Sequence, residues 1–162
     1  MQISKICATR CGKCLIKKLF MKTKKFKKMV ADWKLKQPSP EEQFSMLENP
    51  DSEKAMKAYV KHFGLCKDAQ LKMLERPNAL QLLDIYSQRY WLSKEAEMRM
   101  LEHRKSADLL KMYAKKRRLS YEAQLRMLDV PNSQKLREIY GARRSFCEQY
   151  YQALYEREHK EN

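Results

Sequence analysis

Apolar residues return along this chain at an unbroken period of 27 residues. The period begins at Ser39, Cys66, Ser93 and Ser120, and a partial fifth copy begins at Cys147. With the first residue of each unit as position 1, one apolar set falls at position 6 (Phe44, Leu71, Met98, Leu125), position 8 (Met46, Met73, Met100, Met127) and position 9 (Leu47, Leu74, Leu101, Leu128). A second falls at position 17 (Ala55, Leu82, Leu109, Leu136), position 20 (Ala58, Ile85, Met112, Ile139) and position 21, which is Tyr in every unit (Tyr59, Tyr86, Tyr113, Tyr140). Position 27 closes the unit with Leu65, Leu92, Leu119 or Phe146. The i, i+3, i+4 spacing fits one helical face. Each unit therefore predicts two helices, helix A to about position 10 and helix B from about position 14 to 25.

The polar residues between these sets punctuate the helices. Position 1 is Ser in three units, and position 3 is acidic in all four (Glu41, Asp68, Glu95, Glu122), a hydroxyl cap followed by a carboxylate at the positive end of a helix dipole. Pro40 suits the first helical position, and Ser39 with Glu42 forms a capping box. Ala69, Ala96 and Ala123 at position 4 allow close helix approach. Pro50, Pro77 and Pro131 should end helix A, and Asp51, Asn78 and Asn132 are placed to cap helix B. The third unit has Arg104-Lys105 instead of the Pro-Asn pair, which predicts a differently formed turn.

One unit buries too few side chains to offset the ordering of its own backbone, so neighbours must share an apolar face. The expected architecture is all-α: a right-handed alpha-solenoid of four tandem helix-turn-helix repeats with helical caps. Its parts are a basic N-terminal arm and capping helix (1–38), four repeats (39–65, 66–92, 93–119, 120–146), and a capping helix with a polar tail (147–162). Phe26, Met29, Val30 and Trp33 form the upstream cap stripe, which Leu15, Ile16, Leu19 and Phe20 can extend backwards; Tyr150, Leu154 and Tyr155 form the downstream one. Over residues 39–155 the pattern resembles the alpha-solenoid class that includes HEAT and tetratricopeptide repeats. The resemblance is architectural: the unit is shorter than theirs and carries none of their signature residues. It implies a stack that binds along its surface, and it implies no ligand and no active site.

Composition agrees with helices, since 3 Gly and 5 Pro in 162 residues are few for a sheet protein. No apolar run approaches the roughly 18 residues that cross a bilayer, and the N-terminus lacks the apolar core of a secretory signal. The expected location is cytoplasmic. The net charge of +15 is uneven: residues 1–31 hold ten basic residues and no acidic one. That distribution brings in a polyanion as ligand.

Three groups of residues carry candidate chemistry. The first is a basic ladder at the end of helix B: His62, Arg89, Lys116 and Arg143 at position 24, with Lys61, Lys115, Arg117, Arg118 and Arg144 around them. Such a row could track a phosphate backbone, although cations at a helix C-terminus also complement its dipole. Lys72, Arg99 and Arg126 at position 7 lie one turn from the acidic row at position 10 (Glu48, Glu75, Glu102, Asp129), which should neutralise them. The second is the arm, with Lys17, Lys18, Lys22, Lys24, Lys25, Lys27 and Lys28 interleaved with Phe20, Phe26 and Trp33. It suits nucleic acid, an anionic membrane surface or a basic targeting role, or is a solvated tail; Met21 is an alternative start. The third is Cys7, Cys11 and Cys14, a C-x3-C-x2-C spacing that resembles the cluster motif of radical S-adenosylmethionine enzymes. The strands and glycines of their barrel are missing, and so are the paired CxxC elements of a zinc site, so reduced thiols are the first expectation, a metal site with a fourth ligand borrowed from elsewhere is the weaker alternative, and no cofactor is expected.

No nucleophile, base and orienting group stand together, and no Gly-rich phosphate loop is present, so the expectation is a non-enzymatic binding module. Nucleic acid, DNA or RNA, is the first expected partner, held by the arm and the ladder. The alternative is a protein scaffold that takes a partner peptide or helix on a concave face.

Overall fold

In a computed structural model, the described residues are 38–160. Residues 38–162 group as one compact unit. The described residues are all-helical, with nine helices and no strand. They are α1 (Pro40–Glu48), α2 (Ser52–Tyr59), α3 (Lys67–Glu75), α4 (Ala79–Ser87), α5 (Lys94–Glu102), α6 (Ser106–Ala114), α7 (Tyr121–Arg126), α8 (Ser133–Gly141) and α9 (Glu148–Lys160). The odd-numbered helices are the A helices and the even-numbered ones the B helices. The expected upstream cap stripe, the arm and the cysteine triplet lie outside the described residues.

The helix starts follow the local chemistry. At α1 the Glu42 N–H donates to Ser39 Oγ (3.3 Å) and the Ser39 N–H donates to Glu42 Oε2 (2.8 Å), the reciprocal bonds of a capping box. Ser93 and Ser120 accept from the Ala96 and Ala123 N–H groups in the same way. Cys66 occupies the cap of α3 but forms no side-chain cap bond, as suits a thiol that is a weak acceptor.

Four expectations need correction. Helix B ends at position 21 or 22, not 25, because the last turn tightens: the position-24 N–H donates to the tyrosine carbonyl three residues back (Arg89 to Tyr86, 3.1 Å; Lys116 to Tyr113, 3.0 Å). Asp51, Asn78 and Asn132 do stand at the starts of α2, α4 and α8, but none caps with its side chain. The backbone closes that turn: the Ser52, Ala79 and Ser106 N–H groups donate to the Asn49, Arg76 and His103 carbonyls at 2.9, 3.0 and 2.8 Å. The third unit forms the same turn without proline, since His103 adopts ψ 146° beside 138° at Asn49 and 148° at Arg76. Its ring Nδ1 accepts from the Lys105 N–H (3.0 Å), as Asn49 Oδ1 does from Asp51 (2.9 Å). Finally, the position-6 residues are only half-buried, and position 18 (Met56, Leu83, Leu110) is fully buried in their place.

Each A helix packs on the next A helix, so α1, α3, α5, α7 and α9 form one row, and α2, α4, α6 and α8 form a second row beside it. The core runs between the rows. Met46, Met73, Met100 and Met127, the position-17 residues and the four tyrosines have no exposed surface or almost none. Burial pushes the phenol of Tyr86 up to about 12 and raises Tyr59, Tyr113 and Tyr140 as well.

Two polar ladders tie neighbouring units together. At position 5, Gln43 Oε1 accepts from the Cys66 N–H (2.8 Å) while its Nε2 donates to the Pro38 carbonyl (3.2 Å). Gln70 joins Leu65 O (3.0 Å) to Ser93 N–H (2.6 Å), and Gln124 joins Leu119 O (3.0 Å) to Cys147 N–H (2.9 Å). Each buried amide satisfies a backbone acceptor behind it and a backbone donor in the next unit. At position 21, Tyr113 and Tyr140 accept from the Leu92 and Leu119 N–H groups of the preceding unit, both at 3.2 Å.

The third unit breaks the first ladder. Glu97 replaces the glutamine and is 2% exposed. Its Oε2 accepts from Ser120 N–H (2.8 Å), and its Oε1 accepts from the Tyr113 hydroxyl (2.9 Å). An ionised carboxylate has no donor for the Leu92 carbonyl. Burial raises the Glu97 pKa against the lowering by its hydrogen bonds.

Replacing Gln70 by Ala leaves the buried Leu65 O and the half-buried Ser93 N–H without their partners. Chemical denaturation should then show a loss of about 2–4 kcal/mol. Glu97→Gln should do the reverse and stabilise by about 1 kcal/mol at neutral pH, by restoring the missing donor. A carboxyl pKa raised on folding means that the folded state binds more protons, so stability falls as pH rises from the unfolded value of 4.5 through the folded pKa. The stability difference between Glu97→Gln and the parent should therefore widen across that window and level off above it.

Candidate nucleic-acid interface

The charges of the A row are largely spent within it. Lys72 pairs with Glu48 (2.5 Å), Arg99 with Glu75 (3.4 Å), Arg126 with Glu102 (2.8 Å) and Arg157 with Asp129 (2.6 Å). The pairing is not the expected one within a helix. In the first three pairs position 7 of one unit reaches position 10 of the unit before it, because the A helices lie side by side, and in the fourth Arg157 takes that role from position 11 of the partial fifth copy. Lys67 with Glu95 (2.7 Å) and Lys94 with Glu122 add a second line of bridges between units. The hydrogen bond and charge of Lys72 lower the pKa of Glu48, and Lys94 does the same for Glu122.

The opposite is true where each B helix hands over to the next A helix. These loops are residues 60–65, 88–92, 115–119 and 142–146. They hold eight Lys and Arg and no Asp or Glu. Residues 38–162 as a whole hold 23 Lys and Arg and 19 Asp and Glu, so outside the loops acidic residues are in excess. The loops adjoin one another through side chains that reach back one unit. Arg117 Nε donates to the Ser87 carbonyl (2.8 Å) at the end of α4, and Arg144 Nε donates to the Ala114 carbonyl (2.9 Å) at the end of α6. Both occupy carbonyls that a helix leaves unpaired at its C-terminus.

The ladder residues thus divide into two kinds. Lys116 is tied to the Asp84 carboxylate and carbonyl, and Arg117 and Arg144 are tied to backbone. Arg143 bonds the Ile139 carbonyl of its own helix (3.3 Å) and stays exposed. Arg89, Lys115 and Arg118 are exposed and form no ion pair with a carboxylate among the described residues. The fold therefore brings Lys116 and Arg117 against the end of α4 and Arg144 against the end of α6, and leaves Lys115 and Arg118 exposed. The arm residues Lys17, Lys18, Lys22, Lys24, Lys25, Lys27 and Lys28, and the cysteines Cys7, Cys11 and Cys14, lie outside the described residues.

Trp91 was not among the expected site residues. It is 54% exposed in the loop after α4, and the Arg117 guanidinium lies over its ring at 5.0 Å. The signal that could have found it is the run Arg89-Tyr90-Trp91, a cation and two aromatic residues in a short polar connection. Among the described residues, no three His, Cys, Asp or Glu gather as a metal site, and no helix is long and apolar enough to cross a membrane. No family model, curated protein or solved structure matches the chain.

Alanine substitution should separate the two kinds of cation. Arg117→Ala and Arg144→Ala each remove a charged donor from a helix end and should lower stability by about 1–2 kcal/mol in thermal or chemical unfolding. Lys115→Ala and Arg118→Ala should stay within about 0.5 kcal/mol of the parent.

Proposed function

We propose that the described helices are the four-repeat core of a right-handed alpha-solenoid, and that the chain is a non-enzymatic module that binds nucleic acid along the edge made by its B-to-A loops. The observation that carries this reading is the sorting of charge. Between units the A row matches cation to carboxylate, while four adjoining loops collect eight cations and exclude every acid. A stack held together by its own ion pairs has no need of that excess. A polyanion does, because each phosphate neutralised releases condensed counterions. The acid-free arm of residues 1–31 adds charge of the same sign.

The test is binding of the full chain to labelled oligonucleotides over a range of salt. Replacing Arg89, Lys115, Arg118 and Arg143 together by Ala removes four of the five exposed Lys and Arg of the ladder, Lys61 being the fifth, and leaves Arg117 and Arg144 in place. The slope of log affinity against log salt should fall by about three. An unchanged slope and affinity would move the binding away from the loops, and no binding by the parent at low salt would end the reading.

A scaffold that takes a partner peptide has one observation in its favour. An open pocket of about 440 Å3 lies against α2, α4 and α6, with Leu80, Ile85 and Met112 among its lining residues and Glu53, Lys57 and Asp84 at polar positions. A partner retained at high salt after nuclease treatment would support it.

A further inference from the structure

We infer that the loop edge takes single-stranded nucleic acid, with Trp91 as a platform on which an unpaired base stacks. This rests on the nucleic-acid reading above and narrows it. A backbone tracked by charge alone needs cations and no aromatic ring. Here a large ring stands among the cations: Trp91 is 54% exposed, two residues after Arg89 and in the loop next to Lys115–Arg118. Just over half of its surface stays in solvent, so packing accounts for only part of this large apolar side chain.

The ring is also held. The Arg117 guanidinium covers it at 5.0 Å, and Arg117 is itself anchored by the Ser87 carbonyl at 2.8 Å. Arg117 is thus the positioning residue: it joins the end of α4 to the indole and spends its donor there. The cation over the ring favours a fixed indole plane. A fixed plane loses less freedom when a second flat ring arrives. Only a strand with unstacked bases offers such a ring, since a duplex turns its base faces inward and presents phosphates and groove edges. Arg89, Lys115 and Arg118, exposed on the same edge, supply the phosphate contacts on either side.

The chain has two tryptophans, Trp33 and Trp91, so Trp33→Phe in the full chain makes Trp91 the sole reporter. Titration with a single-stranded oligonucleotide should quench its fluorescence, and a duplex of equal length should bind with little quenching. Trp91→Ala should weaken single-strand binding about tenfold and leave duplex binding unchanged, while Trp91→Phe should recover most of the loss. Circular dichroism on each variant checks that the helices persist. If Trp91→Ala binds the single strand as tightly as the parent, with the salt slope intact, stacking is overturned and the charged edge survives. Quenching by anionic vesicles with none by oligonucleotide would overturn it as well. If the parent binds no oligonucleotide at low salt, the nucleic-acid reading falls and takes this inference with it.

Discussion

A side-chain amide at position 5 holds the structure in register. Between the last residue of one unit and the first of the next, the chain leaves one helix and has not yet entered another, so a carbonyl and an N–H are stranded in a buried place. A buried backbone group without a partner costs about 1–3 kcal/mol. Each glutamine serves one of each kind, because its amide donates to the carbonyl at the joint before it while its carbonyl accepts from the N–H at the joint after it. Gln43, Gln70 and Gln124 each do so, joining the residue five before to the residue 23 after. Nothing shorter spans the gap, and a carboxylate performs half the task. That half is what Glu97 does, with the Tyr113 hydroxyl recruited as a second donor. The joint between the second and third units is thus the one that differs from its neighbours, because the ionised Glu97 offers no donor to the Leu92 carbonyl there, while at the next joint it still accepts from the Ser120 N–H.

Register decides where charge can meet charge. Once the amides fix one unit against the next, position 7 lies beside position 10 of the preceding A helix, and position 2 beside position 3 of the following one. Exposed ion pairs of this kind are individually weak, and they become informative only as a repeated series. At the far end of each unit, the same register sets Arg117 and Arg144 against the C-termini of α4 and α6. One spacing therefore neutralises one row of helices and concentrates positive charge in the loops of the other.

The period, the helix pairs and most core columns were legible in the sequence because they depend on apolar spacing, which a helix enforces locally. The third unit's turn is not legible from its missing proline, because His103 reaches the same dihedrals without one and its ring serves the same N–H that Asn49 serves in the first unit. The ion pairs were assigned to one helix because sequence shows the i, i+3 neighbour and hides the helix next door. The polar column at position 5 was overlooked for a related reason. A Gln at position 5 in three of the four units reads as surface until the two backbone groups it serves are in place. For the candidate site, Lys115 to Arg118 stood out as a dense run, but the sequence had no means of dividing it. Lys116 and Arg117 face the preceding unit and Lys115 and Arg118 face solvent, and that division follows from packing alone.

The loops differ from the rest of the unit in what they permit. The core columns and the position-5 amide are constrained by their neighbours on both sides, and they vary little between units. Positions 23 to 26 read Lys-His-Phe-Gly, Gln-Arg-Tyr-Trp, Lys-Lys-Arg-Arg and Ala-Arg-Arg-Ser, with one shared feature, the absence of acid. Eight cations in adjoining loops repel one another, and that repulsion works against the compact state. Acidic residues at the exposed loop positions would relieve it without touching the core, as they do along the A row. The fold tolerates the repulsion because Arg117 and Arg144 turn part of that charge inward onto helix carbonyls. What remains outward, at Lys61, Arg89, Lys115 and Arg118, forms no ion pair with a carboxylate among the described residues, and it is on this charge that the proposed polyanion reading rests.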